Sequence, residues 1–230
     1  LPTSNDNPLP PSPERRAADS LPSAVLLAFT GGSLDAFIYI NHGHVFAAAM
    51  TGNAVLFGVS ALDSDYIGIL HHLLPIFAFI LGVFFARLLD RRLQRHAVRV
   101  GLMAQIVVLF FMSWMPGSFP NVAYVPIVAV VAAYQIASFR KADEYSYNST
   151  FITGNLRSAV EGLYDTLNPE KRADGLRKAG ELFFIIASFM TGAVVGAILA
   201  PRIFNHTLLV VLLPLLIVLA LVRRREKQAH

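Results

Sequence analysis

Two short stretches of this chain set a hydroxyl, a bare glycine and a carboxamide in a row: Thr51-Gly52-Asn53 and Thr153-Gly154-Asn155. Threonine and asparagine together offer donors and acceptors suited to a small ion, water or a polar solute. Glycine permits the backbone angles that an interrupted helix requires. The same residues would also cap a half-helix and tie two halves together. The two roles are compatible, because a capped helix end is also an ion-facing dipole. Three further polar groups stand in apolar surroundings. Asp35 follows Gly31-Gly32 inside an uncharged run, Gln135 lies in a second such run, and Arg140 ends it. A carboxylate at that depth is costly and marks a coupling-proton or cation site, or one half of an ion pair. Arg140 is the natural partner of Asp35. Thr51, Gly52, Asn53, Thr153, Gly154, Asn155, Asp35, Gln135 and Arg140 are therefore the candidate solute or ion path.

Other chemistries find little footing. The chain has no cysteine, which excludes disulfides, thiolate catalysis and Cys-ligated metal. His42 and His44 are spaced for a loop, adjacent His71 and His72 point to different sides of a helix, and no carboxylate stands at a clear ligand offset, so no metal site is expected. There is no phosphate-binding glycine loop, no G-x-S-x-G and no H-E-x-x-H, so neither a cofactor nor ATP hydrolysis is expected. Nucleic-acid binding is not indicated. Asn205-His206-Thr207 fits a glycosylation sequon but abuts a helix.

The polar residues need elements to carry them. Of 230 residues 55% are hydrophobic and 15% charged, well below the roughly 25% charge of soluble domains, so a bilayer is the natural solvent. Residues 1–20, rich in Pro, Ser, Asn and Asp, read as a disordered tail. Six apolar stretches follow, at about 21–40, 66–88, 98–115, 122–140, 179–200 and 203–222, each close to the ~20 residues a crossing requires. Trp114 ahead of Pro116-Gly117 suits an interfacial anchor. Four basic clusters, around Arg15, residues 87–99, residues 171–178 and residues 223–227, hold 15 of the 19 Lys and Arg. All fall on one side if six helices cross with both termini cytoplasmic. Val45–Leu62 is also apolar and uncharged. A seventh crossing there would send the 87–99 cluster outside, so this segment is expected to dip in or to lie against other helices.

The order helix, Thr-Gly-Asn segment, helix, helix occurs twice. The two Thr-Gly-Asn copies set an offset of 102, and Phe79-Ile80-Leu81-Gly82 matches Phe189-Met190-Thr191-Gly192 at an offset of 110. Ala78, Gly82 and Ala86 are spaced by four, as are Ser188, Gly192, Gly196 and Ala200, which lines small residues along one helical face for close backbone approach. Three crossings per copy would insert the second half upside down. The expected fold is thus all-α and polytopic, with six transmembrane helices as two inverted three-helix repeats, each carrying an interrupted or re-entrant Thr-Gly-Asn segment. Its divisions are the tail 1–20, repeat one at 21–118, repeat two at 119–222 and a basic cytoplasmic tail at 223–230.

With Gly32-Ser33-Leu34-Asp35-Ala36, Phe46 through Asn53, Gln135 through Arg140 and Thr153-Gly154-Asn155 in view, the sequence resembles the YoaK-like family of bacterial six-helix membrane proteins, a family of unknown function. The resemblance runs from about residue 21 over nearly the whole chain. It departs at Ala133-Tyr134, where a glycine would be expected ahead of Gln135. Membership implies an integral protein of the bacterial inner membrane and no particular reaction. Inverted repeats with interrupted segments meeting near the midplane are a recurring transporter design. The reading is a small transport protein, secondary transporter or channel, for a small polar solute or ion. Its partners are the bilayer, the solute and a second copy completing a homodimer. A non-transporting scaffold that assembles through the small-residue faces stays open. So does an intramembrane enzyme that would need Asp35 and the histidines within hydrogen-bond reach.

Overall fold

A computed structural model describes residues 12–228. The expectation of a disordered tail falls partly on residues 1–11, which lie outside the described residues. Within residues 12–20 it is corrected, because a short helix α1 (Pro13–Ala18) forms there. Ser12 caps it by accepting from the Arg15 amide, and Pro13 opens its first turn. Glu14 and Ala17 are buried, so this segment belongs to the folded body.

The remaining elements are α2 (Leu21–Asn41), α3 (Met50–Leu62), α4 (Tyr66–Leu93), α5 (Ala97–Ser113), α6 (Asn121–Ser138), a two-residue β-hairpin β1 (Lys141–Ala142) and β2 (Tyr145–Ser146), α7 (Ile152–Asp165), α8 (Arg172–Ile203) and α9 (Thr207–Gln228). The chain is mainly helical. Four continuous helical stretches are long and apolar enough to cross a membrane: α2, α4, α6 and the stretch holding α8 and α9. A 3-10 turn at Phe204–His206, entered with Phe204 at φ 46°, divides that last stretch. α9 then runs back along α5: Asn205 binds the Met115 carbonyl at one end, and Glu226 pairs with Arg99 at the other. α5, with 17 residues, is apolar and slightly shorter.

Two helix pairs form the centre. α2 lies parallel to α8, and the small-residue stripe of α8 is the seam. Ser188 Oγ donates to the Val25 carbonyl at 2.7 Å, Ser33 Oγ donates to the Gly192 carbonyl at 2.9 Å, and Asn41 Nδ2 donates to the Ala200 carbonyl at 2.8 Å. A Cβ on Gly196 would lie 2.5 Å from the Ser33 carbonyl oxygen, so only glycine allows this approach. α4 lies parallel to α6, with Gly82 against the Val130 carbonyl oxygen and Ala133. Gly82 supplies the close approach there. The missing glycine near residue 134 is explained by Tyr134, which packs over Gly101 and donates to the Ala97 carbonyl at 3.2 Å. The backs of these helices stay apolar and exposed, as at Phe77, Phe84 and Phe85 on α4 and Phe184, Val194 and Ile198 on α8. Lipid is the solvent such faces require.

The bundle has two unlike ends. At the arginine end, Arg15 bonds Asp90 and the Ser138 carbonyl, and Arg99 links Glu226 and Glu14. At the other end His42, wholly buried, stacks on Tyr124 with ring centroids 3.9 Å apart. Its ring nitrogens lie 2.8 Å from Asn121 and 2.9 Å from Asn205, tying α2, α6 and the α8–α9 turn. Burial holds the His42 pKa below its ordinary value of 6.5, against the smaller opposing pull of the two amides. The folded state therefore prefers the neutral ring. Its contribution is complete above about pH 6.5 and is lost as pH falls through that value toward the lower folded pKa. The melting temperature should accordingly drop between about pH 7.5 and about pH 5.5, and His42→Asn should flatten that drop. An equal drop in the variant would remove His42 as its source.

Candidate functional site

Both Thr-Gly-Asn copies open a helix rather than interrupt one. Residues 51–53 form the first turn of α3 and residues 153–155 that of α7. Gly52 and Gly154 have ordinary helical backbone, and the one described glycine with positive φ is Gly43 at 89°. The expectation that these two glycines supply an unusual backbone angle is corrected: helix starts here need none. Gly52 instead leaves room for the Phe46 ring, 2.8 Å from where its Cβ would stand, whereas Gly154 faces open space.

The asparagines do the local work. Asn53 Oδ1 accepts from the Phe46 amide at 2.9 Å, and Asn53 Nδ2 donates to the Phe46 carbonyl at 2.8 Å. Asn155 repeats this on Asn148, at 3.0 and 2.7 Å. In each copy one carboxamide satisfies both backbone groups of the residue seven positions upstream. This pins irregular chain that has no helical partner of its own. Asn53 and Asn155 are buried and spent, while Thr51 and Thr153 are exposed. None of these six residues is among the walls of the two cavities beside Asp35 and Arg140. α3, with 13 residues, is too short to cross, and apart from Asn53 and Ser60 it is not buried.

The pinned segments do meet a cavity. Asp35, Tyr39, Phe46, Ala49, Thr150 and Ile152 are among the walls of a space of about 640 Å³ beside the α2–α8 seam. Ala49 immediately precedes α3, and Thr150 comes just before α7. Thr150 and Ser149 press on Gly31, midway along α2. Asp35 is 5% exposed. Its Oδ1 accepts from the Ala48 amide at 2.7 Å, and the amides of Ala49 and Ala47 add favourable dipoles. Its Oδ2 is buried with no hydrogen-bond partner. A carboxylate oxygen in that position demands a proton or a cation.

The expected Asp35–Arg140 pair does not form. Arg140 lines a different cavity of about 590 Å³ at the arginine end, together with Arg87 and Lys141. The two residues line different cavities, a separation no sequence offset reveals. Gln135 is buried and lines neither cavity; its Nε2 donates to the Leu27 carbonyl at 3.0 Å and to Ser149 Oγ at 3.3 Å, bracing the second pinned segment against α2. The tertiary fold also gathers Glu14, His96 and Glu226, whose ligand atoms lie within 4.8 Å of one another. Arg99 already sits in this group, 2.7 Å from Glu226 and 3.9 Å from Glu14, so its charge is met by ion pairing. Asp35 bonds no histidine, and the small-residue stripes are consumed within the chain.

The family model described as "Protein of unknown function (DUF1275)" matches residues 23–221. The UPF0700 transmembrane protein YoaK of Bacillus subtilis (strain 168) is 29% identical over 191 residues, covering 78% of this chain and 84% of that protein. No solved structure matches. With the family match running from α2 into α9, the chain belongs to the DUF1275 family and is a multi-pass transmembrane protein.

Proposed function

We propose that this protein is a small transporter or channel of the bacterial inner membrane, with six crossings arranged as two inverted three-helix repeats and both termini cytoplasmic. The helix pairing supports the repeat. Each half's first helix packs on the other half's second, α2 on α8 and α6 on α4. α3 leads from Ala49 to the His42 end, where Asp65 caps α4 through the Gly68 amide. α7 leads from Thr150 to the arginine end, where Gly162 packs on Gly175. Two pinned segments thus enter from opposite ends and share one cavity, the arrangement expected of interrupted helices around a midplane site.

The single observation that carries the function is Asp35 Oδ2, buried and unpartnered in a residue that lines that cavity. Its walls are otherwise nearly apolar, so the carboxylate is the one group able to hold a proton or a cation there. We assign Asp35 as the coupling or cation site. Asp35→Asn keeps the shape and removes the charge. In proteoliposomes loaded with a pH-sensitive dye, an imposed pH gradient should dissipate faster with the wild-type protein than with empty vesicles. The variant should fall to the empty-vesicle rate while melting near the wild-type temperature. Equal fluxes through both proteins would overturn the assignment.

A further inference from the structure

The cavity at the arginine end is the repeat counterpart of the Asp35 cavity. At the offset of 102, Asp35, Tyr39 and Phe46 correspond to Ala137, Lys141 and Asn148; at the offset of 110, Phe189, Ala193 and Ala197 correspond to Phe79, Val83 and Arg87. The first member of each pair lines one cavity and the second lines the other. One backbone frame is used twice with opposite charge. Where the first copy has a carboxylate, the second has none, and two cations and a carboxamide replace apolar groups.

We propose that the cavity formed by Arg87, Arg140, Lys141, Tyr147 and Asn148 binds a phosphate- or carboxylate-bearing anion. Arg87, Arg140 and Lys141 are exposed along this cavity, and among the described residues neither guanidinium has a hydrogen-bond or ion-pair partner. The Tyr147 ring is buried in the apolar cluster with Ala24, Ala28 and Leu182, its hydroxyl sealed off and feeling the charge of Asp19. The Asn148 carboxamide oxygen is taken by Thr150 at 3.0 and 3.1 Å, which leaves its NH2 to donate. No carboxylate lines the cavity. Nearby, Asp19 feels the charge of Lys141, and Asp90 is paired with Arg15 at 3.3 Å. A wall whose charged groups are all cations is complementary to an oxyanion, and a guanidinium fork suits its paired oxygens. The same chemistry is carried by a free phosphate and by the headgroup of an anionic lipid.

The site does not depend on transport, so it is read by binding. Full-length protein in phosphatidylcholine nanodiscs would be titrated calorimetrically with inorganic phosphate, and native mass spectrometry would compare retained phosphatidylglycerol with phosphatidylcholine. The wild-type protein should bind at least one of the two anions. Binding should weaken by about tenfold or more in R87Q/R140Q. R91Q/R92Q, at the same end but outside the cavity, should stay within about twofold of wild type. Phosphate uptake identifies a soluble anion, and phosphatidylglycerol retention alone identifies a headgroup; either sustains the site. The proposal is overturned if the wild-type protein binds neither, if R87Q/R140Q binds as wild type, or if R91Q/R92Q loses as much as R87Q/R140Q.

Discussion

Leucine in place of Gly192 is expected to abolish the folded protein. A Cβ at Gly192 would collide with the Phe29 carbonyl, and one at Gly32 would collide with the Phe189 carbonyl. These obstacles are backbone, so no side-chain rotation relieves them. To admit the new group α2 and α8 must separate. That breaks the Ser33–Gly192 and Ser188–Val25 hydrogen bonds and opens the seam over its whole length. Overpacking ordinarily costs about 1–3 kcal/mol. Against two rigid helices the cost should exceed about 3 kcal/mol, a large part of the marginal stability of a folded chain. Gly180→Leu on the same helix is the control, since nothing lies within 4 Å of its Cβ position. Size-exclusion of detergent extracts should give a monodisperse peak for Gly180→Leu and aggregate for Gly192→Leu. A wild-type peak for Gly192→Leu would mean that α2 and α8 are not packed this closely.

Asn53→Leu and Asn155→Leu should each destabilise the protein by about 1–3 kcal/mol, since each removes two hydrogen bonds to a part-buried amide and carbonyl. The orphaned groups are those of Phe46 and Asn148. Phe46 and Ala49 flank Asp35, so the loss at Asn53 should also release the Ala48 amide from the carboxylate. Melting temperature and proton flux are therefore expected to fall together. From sequence alone these asparagines read as solute ligands, whose loss would stop transport and leave the protein intact. The bonds they make turn that expectation into one about stability. A variant that lost flux yet melted like wild type would restore the ligand role.

How far the sequence carried follows from which interactions are local. The helices at residues 21–41, 66–93, 97–113, 121–138, 172–203 and 207–228 were legible, because a bilayer requires long uncharged runs and such runs survive in any fold. The repeat was legible as two offsets. The small-residue stripes announced close packing, though not that α8 would meet α2 and α4 would meet α6 inside one chain. α1 was missed because six residues of Pro, Glu, Arg and Ala carry no strong period; only its burial against other helices holds it.

The site divided along the same line. A lone Asp35 in an apolar run could be flagged from composition, since its charge has a cost wherever the helix lies. Whether Arg140, a loop amide or nothing at all would answer that charge depends on long-range pairing, and the fold gave it the Ala48 amide and one bare oxygen. The Thr-Gly-Asn copies were visible as a pattern, but the bonds of each asparagine to a residue seven positions back exist only once the chain turns on itself. The sequence by itself determined the solvent and the helices, which rest on hydrophobicity and order along the chain. Tertiary structure alone decided that the two copies share a cavity and that its twin at the other end carries the opposite charge, because distances between helices are set by packing and not by spacing in sequence.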